Sequence, residues 1–263
     1  MKTWRLVLDL KANDPAYHRP LARQYALEAA IAEAVSQEMV PPTVWIWRPQ
    51  EGLALGRFDS RLPRFQEAVR ALDAQGVELD RRSSGGQAVW QSPEFVNVSV
   101  FAPVQRGPRP GVPEAYRRYT QGLVAALARL SLKAEFQHVE GAFCDGPYDL
   151  AVDGKKLVGT AQVQRKGLVL VHGTMPVWGG LDGMLYWVSR FYALAGRPVR
   201  LEREAMATLA ELLGRMPSQD ELVEALVLGH EEALGPLVLG EPSEHERARA
   251  EALLAHVRVQ PDG

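Results

Sequence analysis

Cys144 is the only cysteine of the chain, and Lys155 and Lys156, two of only six lysines against 24 arginines, follow it within a dozen positions. An ordinary thiol, with a pKa of about 8.5, is mostly protonated at neutral pH. A nucleophilic cysteine therefore needs a cation or a helix N-terminus beside it. The two lysines are the nearest candidates in the sequence. The Asp145-Gly146-Pro147 turn places Cys144 in a loop at the end of a predicted strand, where functional side chains concentrate. The plainer alternative is a thiol packed as a small hydrophobe, with two solvated lysines beside a turn.

Asp153-Gly154 is a type I′ hairpin signal, so Lys155 and Lys156 point to opposite faces of the strand that follows. Period-two alternation puts Lys156 with Val158 and Thr160, and Lys155 with Leu157 and Gly159, and does not choose which lysine faces a cleft. Ser84-Gly85-Gly86 lies between two predicted strands. Its paired glycines permit positive φ and close approach by a ligand chain or a neighbouring strand. The Walker spacing is absent there, so this is no phosphate loop. Of Arg81 and Arg82, one is expected outside and one inside, and an inward arginine needs an anionic or carbonyl partner. His172 ends the run Leu168-Val-Leu-Val171, where it can act as a base or satisfy a sheet-edge hydrogen bond. The histidines and acids show no metal-ligand spacing.

These residues sit in a chain of 263 amino acids, 46% hydrophobic and 24% charged, with a net charge of −2. Such a balance belongs to an ordinary globular protein and argues against nucleic-acid or basic-patch membrane binding. One cysteine excludes an internal disulfide and a Cys-rich metal cage. The N-terminal apolar run is too short for a signal peptide and no run approaches a membrane span, which predicts a cytoplasmic protein.

The elements that must hold the candidates alternate irregularly. Residues 20–39 read as a helix with Leu27, Ile31, Val35 and Met39 on one stripe and Glu28, Glu33 and Gln37 off it. Val44–Trp47 and Leu53–Leu55 read as strands. Asp59-Ser60 is expected to cap a helix running to about Ala74, with Phe65, Val69 and Leu72 facing in. A strand, the glycine loop and two more strands follow, then an exposed 105–113 loop and a helix over 113–130. Residues 149–177 form a meander with turns at Asp153-Gly154 and Arg165-Lys-Gly167. From about Leu201 the pattern is wholly helical. The sum is an α+β protein on a mixed, mostly antiparallel sheet flanked by helices. It divides into a main domain over 1–200, the part expected to bear any chemistry, and a C-terminal helical extension over 201–263.

Arg82-Ser-Ser-Gly-Gly-Gln-Ala-Val89 resembles the R-x-S-G-G-x-A-V signature of the lipoate–protein ligase and octanoyltransferase family. Leu55-Gly-Arg57 is similar to its L-G-R element. Gly154-Lys-Lys-Leu-Val-Gly-Thr-Ala-Gln162 and His172-Gly-Thr174 are similar to its G-x-K-x-x-G-S/T-A-Q and H-G-S/T segments. The ordered match spans about Val44 to Val177 and implies the biotin/lipoate ligase fold. The family's cysteine-dependent members carry a nucleophile twelve residues before the family lysine; here Cys144 precedes Lys156 by that spacing.

Ala54–Pro63 and Glu140–Cys144 resemble the amidotransferase branch, which takes octanoyl from the glycine-cleavage H protein, while His172-Gly173 is closer to the ligases and carrier-dependent transferases. Where many relatives place an aromatic, His and Asp after A-V, this chain has Trp90-Gln91-Ser92.

The resemblance implies an acyltransferase. It would carry octanoyl or lipoyl from a donor protein, through a Cys144 thioester, to a lysine of a lipoyl domain. The lipoyl-domain partners are the H protein and 2-oxoacid dehydrogenase E2 subunits, with acyl carrier protein as a further donor. Lys156 would stabilise the oxyanion and thiolate. Arg82, Ser84, Gly85, Gly86, Gly159, Thr160, Ala161 and His172 would bind the acyl group in an apolar tunnel. No cofactor or metal is required. The alternatives are a lipoate ligase, which needs ATP and Mg²⁺ but not Cys144, and a non-catalytic lipoyl-domain-binding protein.

Overall fold

The computed structural model describes residues 3–10, 20–104, 109–144 and 146–262. Asp145 and residues 105–108 of the predicted loop lie outside the described residues. The larger sheet contains β1 (Trp4–Asp9), β2 (Thr43–Trp47), β6 (Phe95–Pro103), β7 (Glu135–Phe136), β8 (Leu150–Val152), β9 (Lys155–Arg165), β10 (Leu168–Pro176) and β11 (Leu237–Leu239). Its order is β11-β1-β2-β6-β10-β9-β8-β7, and only the β11–β1 and β1–β2 pairs are parallel. A small second sheet sets β3 (Gly52–Leu55) between β4 (Leu79–Arg81) and β5 (Val89–Gln91). The mixed, mostly antiparallel α+β architecture is therefore present.

Both faces of the large sheet are covered, which is why β2 and most of β6 are buried along their whole length. One face packs Val44, Ile46, Val98, Val100 and Val171 against α3 (Val112–Tyr119), α4 (Gln121–Arg129) and α8 (Gln219–Leu234). The other packs Trp45, Trp47, Phe101 and Leu170 against α1 (Leu21–Ser36) and α9 (Glu244–Val257). A third cluster joins the small sheet to α2 (Phe65–Asp73), to α5 (Leu181–Gly183) and to α6 (Ser189–Leu194), with the π-turn Met184–Val188 between the last two. Short α7 (Leu209–Leu213) opens with a Thr208–Glu211 capping box.

Both predicted hairpin turns form. Asp153 and Gly154 have φ of 50° and 77°, the type I′ requirement, and Gly167 has φ of 79° between β9 and β10. Three expectations change. Asp59-Ser60 caps nothing on α2; it forms a separate 3-10 turn, Asp59–Arg61, because the Asp59 carboxylate is taken by Gly56 N–H and the Tyr192 hydroxyl. Residues 137–144 hold no strand; Ala142 and Phe143 are apolar because they plug the third cluster.

The segment after 200 is also not wholly helical. It contributes β11 to the edge of the large sheet, while α8 packs on α4 and α9 lies along α1. Leu237-Val-Leu239 is too short a run to announce a strand by pattern.

Candidate active site

Cys144 is half-buried in a turn and adopts φ of 44°, a left-handed conformation uncommon outside glycine. Its Sγ accepts the backbone N–H of Gln87 at 3.1 Å, so the glycine loop and the thiol meet directly. Gly86 has φ of 91°, and a Cβ there would stand 2.8 Å from Sγ and 2.7 Å from Arg82 Nη2. A side chain at 86 would push the sulfur away. The loop is anchored from behind: the Tyr192 hydroxyl accepts Ala88 N–H at 2.7 Å and donates to Asp59 Oδ1 at 2.6 Å. Burial, then the Asp59 charge, pushes the Tyr192 hydroxyl well above its ordinary pKa and keeps it a donor.

Lys156, not Lys155, turns inward and is 1% exposed. Its ammonium donates to Phe143 O at 2.5 Å, Cys144 O at 3.2 Å and Asp149 Oδ2 at 2.6 Å, and sits 4.1 Å from the centre of the Phe143 ring. Three donors therefore meet three acceptors, the arrangement a buried ammonium demands. Where an ammonium free to reach an oxyanion was expected, the structure shows one clamping the backbone that carries the thiol. Asp149 is fixed in turn by Gly146 N–H and Thr160 N–H, each at 2.8 Å. A register irregularity where β8 meets β9 breaks strict alternation. A Cβ on Gly159 would lie 3.2 Å from Lys156 Cε and 2.8 Å from the Phe143 ring. Gly159 is thus the space into which Phe143 and the lysine stem fit.

Arg82 is the inward arginine. It donates to the carbonyls of Ala54, Gly85 and Gln87 and to Ser84 Oγ, which gives the loop its shape. Ser84 Oγ lies 2.7 Å from His172 Nε2, and His172 Nδ1 lies 2.9 Å from Glu28 Oε1. Ser99 also donates to Glu28, at 2.8 Å. Glu28 was placed off the buried stripe of its helix, yet it is fully buried on α1, because it has these partners. Burial alone pushes its carboxyl up, but the His172 charge and hydrogen bond, with Ser99 and Arg82, outweigh burial and hold it below the usual range. Glu28 is then a carboxylate that, with Ser84 on the other ring nitrogen, fixes the orientation of His172.

A pocket opens between these groups. It is lined by Cys144, Phe143 and Gly159, by Arg82 and Val89, and by Trp47 and Tyr25. Of the predicted residues, Cys144, Arg82, Gly159, Thr160, Ala161 and His172 line it. Lys156 lies directly beneath, and Ser84 behind His172. Gly85 turns its open side away, with nothing within 4 Å of a Cβ placed on it. The walls are less apolar than expected, since Gln91, Asn97 and Ser99 reach the floor. Glu28, Asp149, Gln87 N–H and Tyr192 had no sequence signal of their own. Asn97 and Ser99 had one: they alternate with valines in Phe95-Val-Asn-Val-Ser-Val-Phe101, so they share one face of β6.

The fold and this pocket define a class, and the model of one family, the lipoyl protein ligase A/B catalytic domain, matches residues 20–231. The chain belongs to that family. It is 34% identical to octanoyltransferase LipM of Kyrpidia tusciae, over 97% of this chain and 96% of that one. Against the octanoyl-[GcvH]:protein N-octanoyltransferase of Geobacillus kaustophilus it is 31% identical, covering 85% and 80%. Two solved structures share the fold at TM-score 0.74 and 23% identity over 97% of this chain. One is protein Ta0514 from T. acidophilum with bound lipoic acid, 96% covered, and the other is a lipoate-protein ligase A with bound ATP, 95% covered. Among the described residues no helix is long and apolar enough to cross a membrane.

Proposed function

We infer that this chain is a protein N-octanoyltransferase of lipoate metabolism, moving a medium-chain acyl group to the lysine of a lipoyl domain. The likeness to LipM along nearly the whole of both chains supports the activity. The observation that carries the covalent route is the half-buried Cys144 sulfur, hydrogen-bonded to Gln87 N–H at the wall of the pocket.

In this reading the Cys144 thiolate attacks the acyl carbonyl of the donor. A C–S bond forms, and the bond to the donor's nitrogen or sulfur breaks as that leaving group takes a proton. The deprotonated ε-amine of the acceptor lysine then attacks the thioester, and the C–S bond breaks to return the thiolate. Gln87 N–H, already aimed at Sγ, is the donor placed to meet the oxyanion. Lys156 and Asp149 act as positioning residues that hold the 143–144 backbone. His172 is held on both ring nitrogens by Glu28 and Ser84 and orients the pocket wall; the proton lost by the acceptor amine goes to water. Arg82 shapes the glycine loop over the acyl chain, and Gly86, Gly159, Thr160 and Ala161 give it room. Burying eight carbons is worth roughly 6 kcal/mol at about 0.8 kcal/mol per methylene, before the costs of binding.

Acyl exchange between amides is near neutral in energy and transfer from a thioester to an amide is downhill, so this route requires no ATP or metal. The donor is read as an octanoylated H protein or an acyl carrier protein, the acceptor as an H protein or an E2 lipoyl domain, and the compartment as the cytoplasm. Every pocket-lining residue precedes position 200, which supports 1–200 as the part bearing the chemistry and 201–263 as its support.

The competing ligase would activate free octanoate or lipoate with ATP and Mg²⁺. Cys144→Ala separates them. Transfer from octanoylated H protein to a lipoyl domain should fall by at least a thousandfold, and free octanoate with ATP should give no product with either chain. A variant that retains transfer, or that lipoylates with ATP, overturns the thioester route.

A further inference from the structure

Asn97 is 2% exposed and lines the pocket, yet its Oδ1 has no hydrogen-bond partner in the protein. Its Nδ2 donates to Oε1 of Gln91, also buried and pocket-lining, at 2.9 Å. A buried acceptor left open at a cavity wall awaits a donor from whatever fills the cavity.

The sheet register fixes where this pair stands. Asn97 on β6 is opposite Thr174 on β10, which is opposite Gly159 on β9, under Phe143 and Lys156. Two strand spacings make about 10 Å from the cysteine side of the pocket to Asn97. An extended eight-carbon chain is about 9 Å long. One strand further, Trp47 pairs with Asn97 and packs edge-on against Tyr25 at 5.7 Å, and both rings line the pocket.

We propose that the Asn97–Gln91 amide pair is the stop that sets acyl chain length. The proposal rests on the pocket being the acyl slot of a Cys144 thioester. The open amide atom is sealed from solvent, so a chain that ends short of the pair leaves it as it is; a longer alkyl chain presses against an unpaired polar group and offers it nothing in return. A chain whose end carries a hydroxyl does offer a partner. Because both amides can turn over together, the pair presents either an acceptor or a donor. The slot therefore rejects long alkyl chains by polarity, and it accepts a chain of the same length capped with a hydrogen-bonding group.

The test is a panel of acyl donors, octanoyl, nonanoyl, decanoyl and 8-hydroxyoctanoyl, read as the thioester formed on the full-length protein and as relative kcat/KM. Asn97→Leu keeps the branching and heavy-atom count of the side chain and removes its polarity. It should raise the decanoyl-to-octanoyl ratio about five- to hundredfold, the range expected when one unpaired buried polar group is removed. The 8-hydroxyoctanoyl-to-nonanoyl ratio should fall by a similar factor. Gln91→Met leaves Asn97 Nδ2 open as well, so it should move the chain-length ratio the opposite way. Thioester formation with both ratios unchanged in both variants overturns the stop and leaves the transferase intact. No thioester with any donor in the unaltered protein overturns the transferase reading itself.

Discussion

The Lys156–Asp149 pair shows how much of a nucleophile's reactivity is held in its backbone. Both side chains are out of water, and the ammonium spends its remaining donors on the carbonyls of Phe143 and Cys144. Lys156→Met leaves a carboxylate buried without its cation and should cost about 3–5 kcal/mol in denaturant unfolding. Adding Asp149→Asn removes the stranded charge and should recover part of that stability. Acyl transfer should stay lost, because the two carbonyls still lack a donor and the turn at Cys144, with φ of 44°, has nothing to hold it. Full transfer by the double variant would mean that the lysine only stabilises the fold. The sequence placed a lysine near the cysteine through spacing. It could not say which lysine, because the choice depends on a register irregularity between β8 and β9.

Between elements, local chemistry was legible and long-range pairing was not. Asp153-Gly154 and Lys166-Gly167 declared their hairpins because turn conformation is decided within a few residues. Val44–Trp47 and Leu53–Leu55 were both readable as strands, but nothing local says that they join different sheets. The segment after 200 was misread for the same reason: its strand and helices are ordered by partners more than a hundred residues away. Three of its contacts reach the site. Glu202 N–H donates to Gly141 O at 2.8 Å, Ala207 N–H donates to Lys156 O at 3.0 Å, and Met206 bridges to Lys156. Deeper in the same segment, α8 and α4 cross on glycines, and a Cβ on Gly229 would lie 2.5 Å from Ala126 N and Gly122 O. Gly229→Val should cost about 1–3 kcal/mol through overpacking, seen as a lower thermal midpoint. An unchanged midpoint would show that the crossing yields.

At the scale of the molecule, one buried histidine ties stability to pH away from the pocket. His230 on α8 lies against Gly122, donates through its Nδ1 to Leu226 O at 2.7 Å, and is pushed by burial from 6.5 down to about 4. The unfolded chain binds a proton there at a higher pH than the folded chain does. Stability from this group is therefore complete above 6.5 and is lost as pH falls toward 4, by roughly 3 kcal/mol in all. His230→Gln should flatten the fall in unfolding free energy between pH 6.5 and 4; an undiminished slope would place the acid sensitivity elsewhere. The larger claim is that a half-buried thiol at the wall of the pocket carries an acyl group between two proteins. Intact mass of the full chain after incubation with octanoylated H protein measures that step alone. The account predicts a gain of one octanoyl group that hydroxylamine removes and that is missing in Cys144→Ser. An unmodified mass alongside continuing transfer to the acceptor would contradict it.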